Sequence, residues 1–123
     1  RMSPGARLVP LYIGGSGVSP VSIRRALAYG DGWMPYSMAG QYDAVALRET
    51  IAHVRTARAH AGQPPLDTIF KLGVDGYASP LLADNVRELA EIGFDEIIVQ
   101  GIFDAGLDTG VATIHRIRDV LDV

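Results

Sequence analysis

Residues 9–20 read VPLYIGGSGVSP. Val9 to Ile13 form a short apolar run of the kind that makes a buried strand, and Gly14, Gly15, Ser16 and Gly17 then break it. Ser19 suits the cap of a helix, because its hydroxyl accepts a free N–H, and Pro20 suits the first helical position. The stretch therefore predicts a strand, a glycine loop over 14–17 and a helix over 20–29. Gly30 is expected to end that helix in the left-handed conformation.

The same alternation recurs three more times. GWMPY, residues 32–36, reads as a second strand, with Pro35 placed at its end because proline has no N–H for the ladder. The long helix expected over 41–61 carries Leu47, Ile51, Val54, Ala57 and Ala61 at steps of three or four, and Gly62 stops it. TIFKLGVDG, residues 68–76, is a third strand. Ser79 and Pro80 start a helix that runs to Ile92 with Leu82, Val86, Leu89 and Ala90 inward and Gly93 as its stop. Residues 96–100 give the fourth strand. A last helix over 110–121 is expected to turn Val111, Ile114, Ile117 and Leu121 toward the core.

Strands separated by a dozen or more residues pair in parallel, and helical connections imply an α/β protein. Four consecutive βα units are half of an eight-stranded barrel, whose usual length is about 250 residues; this chain has 123. Right-handed crossovers between strands in chain order place all the helices on one side. Parallel sheets are normally covered on both faces, so a half barrel needs either a missing partner half or a second copy of the chain. A doubly wound sheet with helices on both faces is the self-sufficient alternative.

Composition narrows the function classes. The 48% hydrophobic and 20% charged content is that of an ordinary folded domain, and one domain spanning 1–123 is expected. Eleven basic against fourteen acidic residues give a net charge of −3, which argues against nucleic-acid or membrane-surface partners. There is no cysteine, so disulfides and thiolate metal sites are excluded, and a cytoplasmic location fits. No apolar run approaches the roughly 20 residues that span a bilayer. RMSPGAR at the start has no signal-peptide core and no initiator Met, which fits a piece of something longer.

The segment VPLYIGGSGVSPVSIRRALAYGDGWMPY resembles the C-terminal half of the bacterial luciferase-like monooxygenase family, which includes coenzyme F-420-dependent oxidoreductases. The resemblance is carried by Pro10, Ile13-Gly14-Gly15, Arg24-Arg25-Ala26 and Tyr29-Gly30-Asp31-Gly32-Trp33. The later LRETIAHVRTARAHAGQPP and VRELAEIGFDEIIV are similar to the family's long helix and its last helix–strand unit, so the likeness covers roughly residues 8 to 121. It implies a barrel oxidoreductase of monooxygenase type that takes FMN or coenzyme F-420 and a small-molecule substrate. It also implies that this chain supplies strands five to eight. The family's N-terminal half carries much of the ring pocket and commonly the acid–base residues, and it has no counterpart in these residues. The sequence accordingly assigns no catalytic residue.

Glycines at the carboxyl end of a parallel strand let backbone N–H groups approach a phosphate, and a helix N-terminus adds partial positive charge. Gly14, Gly15, Ser16 and Gly17 are the expected phosphate cradle; the plain alternative is a tight turn. Trp33 is a candidate for packing against a cofactor ring, with core filling as the competing reading. Arg24 and Arg25 read as an anion-reaching pair or as a solvated helix face, and Asp31 as a turn cap. Lys71 interrupts an apolar strand as an inward charge or as an edge residue facing water. His53, His60 and His115 fall on helices, away from strand ends, and no pair has zinc-helix spacing, so no metal site is expected. The competing function is a non-catalytic half barrel that dimerises and acts as a binding or scaffolding module.

Overall fold

The computed structural model describes residues 9–74, 82–104 and 106–121. The expected strand tail at 75–76 and the Ser79-Pro80 helix start lie outside them. Four strands, β1 (Tyr12–Ser16), β2 (Gly32–Met38), β3 (Asp67–Gly73) and β4 (Glu96–Gln100), alternate with α1 (Pro20–Tyr29), α2 (Ala44–His60), α3 (Leu82–Ile92) and α4 (Leu107–Leu121). All three strand pairings are parallel and the strand order is the chain order. This is an α/β fold of four βα units, the arrangement of half a (β/α)8 barrel.

The helices lie side by side in sequence order, α1 on α2, α2 on α3 and α3 on α4. One apolar cluster joins them to one face of the sheet: Ala26 of α1, Leu47, Ile51 and Val54 of α2, and Val86, Leu89 and Ile92 of α3 meet Trp33, Phe70 and Leu72. Ile117 and Leu121 of α4 pack against its margin. Because side chains alternate along a strand, Met34, Tyr36, Ile69, Lys71 and Ile98 point to the opposite face, which no described helix covers. The doubly wound alternative is thereby excluded for the described residues.

Several expectations are corrected. The glycines 14 and 15 are not loop but β1 itself, paired with Met34 and Pro35. The reason is steric: a Cβ on Gly15 would come within 2.9 Å of the Ser22 Cβ, so glycine lets α1 lie close to the strand. Gly30 caps α1 in an extended conformation, φ −88°, and not in the left-handed one. A Cβ there would stand 2.9 Å from the Ala26 carbonyl oxygen. Pro35 lies inside β2, buried, where the β2–β3 pairing skips from Trp33 to Tyr36. A missing N–H is tolerated where the ladder is interrupted.

The inner stripe of α2 is Leu47, Ile51, Val54 and Arg58, not Ala57 and Ala61. Arg58 is buried without a carboxylate partner among the described residues. Its guanidinium donates to the carbonyls of Ala26 (3.0 Å), Gly30 and Pro64 (3.2 Å). A cation at the carboxyl end of α1 satisfies carbonyls that the helix leaves open. In α4 the buried positions are Gly110 and Thr113, and Val111 is exposed.

The amino-terminal edge repeats one device. Asp31 donates its N–H to the Leu11 carbonyl while its carboxylate accepts the Leu11 N–H, both at 2.7 Å. Asp95 does the same to Thr68, both at 2.9 Å, and also accepts from the Thr68 hydroxyl. Each aspartate thus brackets the first residues of the neighbouring strand and fixes its register.

Replacing Gly15 by Ala is expected to cost about 1–3 kcal/mol through overpacking against α1. In a Ser22→Gly background the same change should cost at least about 1 kcal/mol less, as a double-mutant cycle of urea denaturation measures. Equal costs in both backgrounds would show that the glycine serves something other than helix approach.

Candidate functional site

At the carboxyl ends of β1 and β2 lies a cavity of about 220 Å³. Ser16, Gly17 and Val18 form one wall and Ser37, Gln41, Tyr42 and Asp43 the other, with Leu47 and Phe70 at its apolar side. This is the edge where parallel α/β proteins build their sites. Ser19 caps α1, accepting the Ser22 N–H at 3.4 Å. Gly17, at φ +53°, turns the chain from β1 toward α1 and donates its N–H to the Tyr36 carbonyl at 2.9 Å. The Val18 N–H donates to no acceptor among the described residues.

The second wall is held from α3. Asn85 accepts the Gly40 N–H at 2.7 Å, and Glu88 accepts the Tyr42 hydroxyl at 2.6 Å. The Ala39 N–H reaches the Gly73 carbonyl at 2.8 Å, which ties the loop to β3. The Tyr42 ring meets Phe70 edge-on at 5.7 Å, Phe70 meets Phe94 at 5.2 Å, and Phe94 meets Trp33 at 6.0 Å. A line of aromatic rings therefore runs from the deep core to the cavity. Asp43 caps α2, its carboxylate accepting the Ala46 N–H at 3.1 Å.

Of the residues singled out in the sequence, Ser16 and Gly17 reach the cavity. Gly14 and Gly15 are strand residues below it and do not line it. Trp33 is fully buried on the helix side of the sheet and does not line it either. Its Nε1 has no hydrogen-bond partner among the described residues. Arg24 and Arg25 line a shallow groove on the outer side of α1 with Val21 and Tyr29. Lys71 stands on a central strand, half-buried on the uncovered face, so it is not an edge residue. Asp31 caps the start of β1, as expected of a turn aspartate. His53, His60 and His115 are exposed.

Ser37, Gln41, Tyr42 and Asp43 were not legible as site residues. Ser37 lies near the end of β2, and Gln41, Tyr42 and Asp43 sit on the loop after it, whose only sequence signal was the start of a helix and which α3, distant in the chain, holds at Gly40 and Tyr42. No group of three or more metal-ligating side chains occurs among the described residues. No helix among them is long and apolar enough to cross a membrane. Compared with protein-family models, curated proteins and solved structures, the chain matches none.

Burial, and then the hydrogen bond and negative charge of Glu88, push the Tyr42 hydroxyl well above the ordinary tyrosine range. On the open face, the Tyr12 hydroxyl is raised in the same direction by its 3.2 Å hydrogen bond to Asp67. A raised tyrosine contributes stability that is full below the unfolded value near pH 10 and is lost as pH climbs through the folded value. Above pH 10, unfolding free energy should therefore fall more steeply for the native chain than for Tyr42→Phe in urea titrations. Parallel curves for the two proteins would contradict the Tyr42–Glu88 contact.

Proposed function

We propose that this chain is the phosphate-holding part of a luciferase-like oxidoreductase of monooxygenase type, with FMN or coenzyme F-420 as cofactor and a small organic molecule as substrate. The observation that carries the reading is the cavity between the β1–α1 and β2–α2 loops, at the carboxyl edge of a parallel sheet. Its Ser16–Val18 wall carries the unengaged Val18 N–H, a suitable donor for a phosphate oxygen. The resemblance in residues 8–121 points the same way.

The donor set is neutral. None of the described lining residues is basic, and Asp43 faces the same space. The phosphate is accordingly assigned to the Ser16–Val18 wall. The opposite wall of Ser37, Gln41 and Asp43 suits hydroxyl groups, which donate to a carboxylate. When bound, such a cofactor supplies the hydride or oxygen chemistry itself. The part left to this chain is to seat its phosphate and to keep the loop pair in place through Asn85 and Glu88.

Ligand binding to the folded state raises the melting temperature by mass action. FMN or coenzyme F-420 should raise it at concentrations where riboflavin, which lacks the phosphate, does not. No shift with either cofactor at millimolar concentration, in a chain that unfolds cooperatively, would overturn the proposal.

A further inference from the structure

Among the described residues, both outer strands of the sheet are unpaired on one side, β1 at one edge and β4 at the other, and each has five residues. No described residue outside the sheet covers the face away from the helices. Free edges and an uncovered face on one parallel sheet are unusual for a molecule that stays alone. We propose that a second copy of this chain covers them, β4 of each copy pairing in parallel with β1 of the other, so that two chains close an eight-stranded barrel.

Direction and symmetry allow this closure. All four strands are parallel and in chain order, so β1 of a second copy continues the ladder beyond β4 with the same polarity. A two-fold axis then repeats that junction at the other edge and leaves no free strand. A patch four strands wide at about 4.8 Å spacing and five residues long at about 3.3 Å rise covers about 300 Å² per copy. With the two new edge ladders, both copies together bury about 1,000 Å², the lower bound for a specific stable interface.

The face has the relief and the charge for it. Tyr12 lies over Gly32, where a Cβ would meet its ring at 2.5 Å, and Met38 lies over Gly73, where a Cβ would meet its sulfur at 2.8 Å. Large side chains thus lie flat on glycines and leave space above the sheet. Lys71 shares the face with Asp67 and Glu96, so two copies bring together both signs of charge.

The carboxyl rim is also completed by this closure. The β1–α1 loop of one copy, which follows Ser16, comes beside the β4–α4 loop of the other. The proposal rests on the fold alone and is independent of the cofactor assignment, since oligomeric state is measured without ligand.

Sedimentation velocity between 1 and 200 µM should show a species of twice the 13.2 kDa chain mass. Ile98→Lys, which puts a charge on the buried face beside the edge, should raise the dissociation constant at least 100-fold. Lys71→Glu, which makes the charged groups of the face uniformly acidic and leaves both edges intact, should do the same. His53→Glu on the outer side of α2 should leave it unchanged, and circular dichroism checks that each variant is folded. Should Ile98→Lys fail to fold, Lys71→Glu alone decides. A monomer at 200 µM, or a dimer that both face variants leave intact, would overturn the proposal and leave the face to strands from a different polypeptide segment.

Discussion

Parallel strands in chain order, with every connecting helix returning over the same side, are the constraint on which the rest of this structure depends. The arrangement follows from short apolar strands joined by helical connections that cannot make a hairpin. It gives the molecule one apolar core, between helices and sheet, and one face left over. The residues of β2 and β3 are sorted accordingly: Trp33, Phe70 and Leu72 enter the core, whereas Tyr36, Lys71 and Met38 lie on the other side.

The two ends of the sheet are stitched by different chemistry. At the amino end, Asp31 and Asp95 bracket the first residues of β1 and β3, and Arg58 gathers the carbonyls that close α1. These contacts fix strand starts and a helix end, the stabilising role usual for this side of βα architectures. At the carboxyl end, Asn85 and Glu88 hold the 39–43 loop, but Ser37, Gln41 and the Val18 N–H keep hydrogen-bonding capacity at the cavity. The loop that walls this cavity is therefore braced by the sequence-distant α3.

Much of the fold was legible because periodicity and punctuation agreed. α1 runs from Pro20 to Tyr29 and β4 from Glu96 to Gln100, as read from the residues alone. The misreadings share one cause, which is that a residue's tertiary neighbour decided its role. Gly14 and Gly15 looked like a loop because glycine is common there, but Gly15 is required where α1 approaches the strand. Ala57 and Ala61 were expected to complete the inner stripe of α2, but the open carbonyls of Ala26, Gly30 and Pro64 give Arg58 the buried place instead. Of the expected cradle only Ser16 and Gly17 reach the cavity, and the opposing wall could not be seen without knowing that Asn85 and Glu88 pack on it.

The central claim is that this sheet is covered by its own helices on one face only. The chain has no cysteine, so single cysteines at Tyr36 and Leu72 report on the two faces without interference. Thiol labelling at high dilution is predicted to be fast for Tyr36→Cys and slow for Leu72→Cys. Equal protection of both positions at every dilution would contradict the one-sided arrangement.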